Sequence, residues 1–359
     1  MSKGINASGL MRPLALVLGG LALMAGMWGG LVRVGAASGG GLTAAQHGPL
    51  MVAGFLGTLI ALERAVAFGR TLAYAAPLAS GVGAALLILQ GPTVAAKLLL
   101  FLGALGLAII MFAFTQRQST YDIWIMALGS LGLVLGNGLW LRGFSVPQSV
   151  MPWLTFLFLT VTGERLELSR ILPAGSLRVY SLLTVSFILM VGSLMSIHWV
   201  EFGGRLVGLG LIGGAYWLLH YDIAWRTRRR QGLPRYMAWS VLAAASWMMV
   251  AGVMTTFWGL PGPGFRYDAL LHAGFLGFGI GMVMAHAPMM VPTLVGGRAR
   301  FSTLLYLPTA LLHLSMVGRV GSDLMGWHEA RMVSSTVNVI AILSFVAVTA
   351  FNLIGSHRE

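Results

Sequence analysis

The chain has 359 residues, 57% hydrophobic and 9% charged, against about 25% charged residues in an ordinary soluble domain, so a water-soluble fold is excluded and a polytopic membrane protein is indicated. Cysteine is absent, which removes disulfides, thiolate metal sites, iron–sulfur clusters and cysteine nucleophiles and leaves nitrogen, oxygen or methionine sulfur as metal donors. The net charge of +13 lies in short clusters between apolar runs, the densest being Arg226, Arg228, Arg229 and Arg230, a distribution that fits the positive-inside rule better than a nucleic-acid-binding face.

In chain order, a few polar residues and Lys3 precede an apolar run over residues 14–31. At roughly 20 residues it is long enough to span and longer than a secretory core segment, so a retained first helix is expected. Glycine, proline and charge clusters then mark off spans near 12–33, 46–68, 71–90, 93–115, 122–142, 149–163, 179–198, 204–225, 236–258, 268–290, 302–320 and 331–354. This is an all-α architecture of twelve transmembrane helices, the sixth short and expected to run on past Glu164. With both termini inside, sixteen Lys and Arg fall on the inner side, Lys3, Arg298, Arg300 and Arg358 among them, against seven outside. The bias places both termini in the cytoplasm, for a multi-pass protein of the bacterial inner membrane.

The most polar inner loops, 116–121 and 226–235, divide this single domain into three four-helix blocks, about 12–115, 122–225 and 236–354. Sliding the second helix by 101 positions lays Phe55-Leu56 on Phe156-Leu157 and Glu63-Arg64 on Glu164-Arg165, and GFLG recurs at 54–57 and 274–277. Helices two, six and ten therefore read as equivalents.

The eight histidines sort by depth. His47 begins the second helix and His272 the tenth, both running from the outer to the inner face; His313 lies in the outer half of the eleventh. His220 and His286 sit towards the inner side, and His198, His328 and His357 are in or near loops. A single histidine at a helix end is ordinarily an interfacial residue, but ionisable groups inside a membrane are costly and usually serve a site, so two imidazoles at matched depth suggest a shared metal or haem. Going down from His47 the face carries Met51, Gly54 and Thr58; from His272 it carries Leu276, Gly279 and Val283. Small residues here open a slot for a flat macrocycle or, equally, serve close helix packing. A haem also needs its propionates neutralised, for which Arg319 is at the correct depth, with Arg142 and Arg266 as alternatives.

HGPLM at 47–51 resembles the start of the second helix in subunit I of haem-copper oxidases and nitric oxide reductases, where a histidine followed by glycine and then methionine ligates the low-spin haem. HAGFLGFGIGMVMAHAPMMVPTLVGG, residues 272–297, resembles their tenth helix, with a ligand histidine, a glycine-rich middle and a later proline, here Pro292. Twelve spans in three arcs of four are similar to that fold, and the nearer likeness is to the NnrS family, twelve-span bacterial proteins associated with haem, copper and the nitric oxide response. The resemblance implies a b-type haem held by His47 and His272 near the periplasmic face, with Met51 beside it. It also implies a diatomic gas such as nitric oxide, or a respiratory or redox partner, alongside the lipid bilayer. The departures bound the chemistry: the position of the oxidases' catalytic-haem histidine is Leu270, the sixth helix has no histidine, and the seventh offers only His198. An oxidase-type binuclear centre is excluded, and copper has only His313, His286 or His328 as candidates.

Neighbours on a helix point about 100° apart, so Glu63 and Glu164 are expected to pair with arginines of other helices rather than with Arg64 and Arg165, clamping helix two to helix six or lining a proton path. Asp122, Asp222, Asp268, Asp323 and Glu329 fall at helix ends, where capping or loop pairing is the default. Asn137 is expected to hydrogen-bond between helices. Trp140, Trp153, Trp199, Trp258 and Trp327 read as interfacial belts. The 21 methionines do not cluster at ligand spacing. Two rival readings remain: a secondary transporter using the Glu-Arg pairs, against which three blocks stand in place of two halves, and a haem-free assembly subunit of a respiratory complex.

Overall fold

The computed structural model describes residues 7–170, 175–295, 297 and 301–356. Lys3, Arg298, Arg300, His357 and Arg358 lie outside the described residues. The described chain is helical, with no strand among these residues. Among the described residues eleven helices are long and apolar enough to cross a membrane: α1 (Ala7–Arg33), α2 (His47–Phe68), α3 (Thr71–Gln90), α4 (Val94–Arg117), α5 (Tyr121–Leu141), α7 (Ser176–Met195), α8 (Val200–Tyr221), α9 (Leu233–Trp258), α10 (Phe265–Val295), α11 (Thr303–Met325) and α12 (His328–Ser356).

The remaining long helix, α6 (Val146–Leu168), has 23 residues and continues past Glu164. It is long enough to span but more polar than the others, with Gln148, Ser149, Pro152, Thr155, Thr160 and Thr162 along it. The reason lies in its surroundings: every residue from 149 to 163 is buried. A helix covered by protein on all sides needs no lipid-facing apolar stripe, so hydroxyls are tolerated where each finds a partner. Thr162 donates to the Phe158 carbonyl at 2.9 Å, and Thr155 and Ser193 share a hydrogen bond of 2.6 Å.

The helices pack as two compact units, residues 1–153 and 154–359, the break falling inside α6. In the first, α1 lies on α2 and α3, α3 on α4, and α4 on α5. Asn137 of α5 donates to the Leu100 carbonyl of α4 at 2.9 Å and accepts from Trp153 Nε1 at 2.9 Å, the interhelical role expected of it. Trp153 and Trp140 are therefore not belt residues; both are buried, with Lys97 over the Trp140 ring. Trp199 and Trp327 are exposed as expected.

In the second unit α8 lies between α7 and α9, and a run of glycines brings the three backbones together. A methyl on Gly208 would stand 2.4 Å from the Thr256 nitrogen of α9, and one on Gly192 would stand 2.8 Å from the Val207 nitrogen of α8. Between helices in lipid such close approach supplies the dispersion energy that water expulsion supplies in soluble cores.

Two stretches leave α-helical geometry for the wider π turn: Leu50–Leu56 in α2 and His272–Ile280 in α10. Such turns are well under 1% of residues in ordinary proteins and concentrate at functional sites. In α2 the stretch follows Pro49, which has no amide proton to give the preceding turn. In α10 it covers the glycine-rich run HAGFLGFGI. Both copies of GFLG fall on this backbone, the first ending one residue beyond it at Gly57.

Candidate functional site

In the first unit His47 begins α2, three residues ahead of the π stretch. Its Nδ1 donates to the Gly26 carbonyl of α1 at 2.7 Å. A carbonyl only accepts, so Nδ1 carries a proton, and Nε2 is the nitrogen that would ligate a metal. The ring lies flat enough on α1 that a methyl at Gly30 would stand 3.0 Å from Cε1 and 3.1 Å from Nδ1. Met51 packs on the same helix, its sulfur 2.7 Å from where a Gly26 Cβ would be.

In the second unit His272 is the first residue of its π stretch. Its Nδ1 donates to the Asp268 carbonyl one turn earlier at 2.7 Å, so this Nδ1 too carries a proton. Around that turn sit four charges from three helices. The Asp268 carboxylate takes Arg331 of α12 and lies 3.6 Å from Arg319 of α11. Asp323 of α11 meets Arg319 at 3.3 Å and Arg331 at 2.9 Å. Arg319 is only 2% exposed and also donates to Ser335 Oγ. Flanked by two carboxylates, it belongs with Arg331 to a cluster of two cations and two anions.

The slot expected beneath the imidazoles is filled by protein. A methyl at Gly54 would meet Ala84 and Ala22 at 3.0 and 3.2 Å; one at Gly274 would meet Leu154 at 2.9 Å, one at Gly277 Trp247 at 2.6 Å, and one at Gly279 Leu157 at 2.6 Å. These glycines serve close helix packing, the second of the two readings their spacing allows. The histidines fit a haem by donor chemistry; the glycines do not supply its cradle.

Further along α10, His286 donates from Nδ1 to the Met282 carbonyl at 2.7 Å and accepts at Nε2 from Arg165 of α6 at 3.2 Å. Both nitrogens are thus used within the protein. Arg165 also forms a two-pronged pair with Asp222 at the end of α8, at 2.7 and 2.6 Å, and Asp222 Oδ1 accepts from the Ala224 amide at 2.7 Å. Asp222 is therefore both a cap and the main partner of Arg165. Glu63 pairs with its neighbour Arg64, which overturns the expected avoidance: long side chains bridge the 100° between adjacent positions. His220 stacks on Tyr216 at 3.9 Å. His313 packs its ring against Gly281, and both its nitrogens are buried without a hydrogen-bond partner. Among the described residues no three His, Asp or Glu side chains gather as for a metal ion, which leaves copper at His313, His286 or His328 without a donor set.

A family described as a domain of unknown function, DUF8744, matches residues 12–354, nearly the whole chain. The chain belongs to the DUF8744 family. No curated protein matches it. Two clusters in this DUF8744 chain escape a reading along the sequence, Asp268–Arg319–Asp323–Arg331 and Arg165–Asp222–His286, because the members of each come from three helices. Depth is the signal that finds them: opposite charges assigned to the same end of neighbouring spans.

Proposed function

We propose that this chain is a b-type haem protein of the bacterial inner membrane, built of twelve spanning helices in three arcs and related to the NnrS and oxidase subunit I proteins, with His47 and His272 as axial ligands. It acts in electron transfer with a redox partner or on a diatomic gas such as nitric oxide. The observation that carries this reading is the coincidence of two signals: the π stretches fall on the two helices whose histidines stand out in the sequence. A π turn inserts one extra residue and turns the following face, which is how a helix re-aims a side chain at a site. Each imidazole is held by a carbonyl at Nδ1, and Nε2 is the nitrogen that would ligate the iron.

When bound, the haem supplies a one-electron couple and an iron that takes diatomic ligands. The chain's own part is to hold two imidazoles in one tautomer and to keep water out with the packed glycine faces.

The test is the absorption spectrum of detergent-purified protein, oxidised and dithionite-reduced, beside His47→Ala and His272→Ala. A Soret band with sharp reduced b-type bands, lost or shifted in both variants, is expected. A colourless wild-type protein from haem-supplied cells would sink the proposal.

A further inference from the structure

His272 takes its orientation from the Asp268 carbonyl, and the turn bearing that carbonyl is gripped from outside α10. Arg331 binds the Asp268 carboxylate and lies over the Phe265 ring, 5.0 Å from its centroid, so one guanidinium holds both the first and the fourth residue of α10. The helix has no side-chain cap of its own, beginning at Gly264 with φ 156°, so this grip stands where a cap would. Arg331 is itself fixed, its Nε 2.9 Å from Asp323, while its backbone carbonyl accepts from Ser335 Oγ at 2.6 Å. Arg319 closes the cluster on Asp268, Asp323 and Ser335.

We infer that Arg331 is a positioning residue for His272, acting through Asp268 from a different helix. The carboxylate is clamped, the clamp fixes the first turn of α10, and the turn aims the carbonyl that holds the Nδ1 proton. The cluster contains two cations and two anions, so it fixes the turn without placing a net charge beside the imidazole. The consequence for ligation rests on the haem proposal; the consequence for the imidazole does not. Arg331 never touches the imidazole in this scheme. Loss of the clamp loosens the His272 hydrogen bond and leaves His47, anchored on Gly26, as it was.

The experiment uses the full-length protein labelled with 15N-histidine, in lipid bilayers, reduced so that any low-spin haem is diamagnetic. The His272 Nδ1–H signal is identified by its loss in His272→Gln. In Arg331→Gln this signal is expected to move upfield while that of His47 stays, with Arg331→Lys restoring most of the shift. Because Arg331→Gln leaves one anion in excess, Arg331→Gln/Asp323→Asn provides a charge-balanced version for the case in which the single variant does not fold. In the haem-containing protein, haem affinity is expected to fall about tenfold, the lower end of the usual scale for loss of a ligand's supporting contact. An unshifted His272 signal in a folded variant overturns the inference, as does a His47 signal that moves equally. A colourless protein that still shows the His272 shift defeats the haem proposal alone.

Discussion

Removal of the Asp222 carboxylate is the most demanding perturbation of the second unit. Its two oxygens take Arg165 Nε and Nη2 at 2.7 and 2.6 Å, and the two side chains are 0% and 4% exposed. Breaking such a pair from one side strands a buried charge and costs about 3–5 kcal/mol. The same oxygen that takes Nη2 also caps the short helix Ala224–Thr227 through the Ala224 amide, a contact worth about 1 kcal/mol. Asp222→Ala is therefore expected to lose about 4–6 kcal/mol. His286 accepts only one bond from Arg165, at 3.2 Å, and His286→Ala is expected to lose about 1.5–3 kcal/mol. Arg165→Met/Asp222→Leu removes both charges, and most of the loss is expected to return, because a packed apolar pair matches a buried ion pair. Reversible unfolding in mixed micelles, followed by tryptophan fluorescence, measures all three. The reasoning fails if Asp222→Ala stays within about 1 kcal/mol of wild type, or if the double variant is as damaged as the sum of its parts.

Three further outcomes follow from contacts of single residues. Gly30→Ala places a methyl 3.0 Å from His47 Cε1 and is expected to lower haem absorbance per protein, whereas Gly20→Ala, with nothing within 4 Å, leaves it unchanged; paired spectra decide. Asn137→Ala strips partners from the Leu100 carbonyl and Trp153 Nε1 and is expected to cost about 1–3 kcal/mol for each group left unsatisfied, read from thermal unfolding. The chain has no cysteine of its own, so Ser145→Cys and Gln231→Cys, both at exposed positions, report orientation directly: an impermeant thiol reagent applied to intact cells is expected to label the first alone, and the opposite result reverses the topology.

The spans were legible because lipid imposes length and apolarity on every helix that faces it. The rule weakens where lipid is absent, which is why α6 reads as short and polar although it is a full-length helix. The π stretches leave no mark in a 3.6-residue period, since HAGFLGFGI after its histidine is apolar on every face; the recurrence of GFLG and the matched histidines linked α2 and α10 without revealing their backbone. His47 and His272 were found by depth, but their anchoring carbonyls, Gly26 and Asp268, are backbone atoms that no side-chain pattern reveals. Arg319 was picked out by its depth, but its contacts with Asp268 and Asp323 were not legible, since they join different helices or face one another only once the helix is built. The adjacency argument for Glu63 considered Cα directions and neglected the reach of Arg64.

The complete burial of residues 149–163 in α6 bears on how the protein is made. A segment chosen for neighbours rather than for lipid is a poor substrate for insertion by itself, because its threonines, Gln148 and the Glu164-Arg165 end draw it back towards water. The helices that provide Asp222 and His286 for Arg165, α8 and α10, are synthesised later. Arg165 is thus made 57 residues before Asp222 and 121 residues before His286, and its pairing comes only after both later helices have been synthesised.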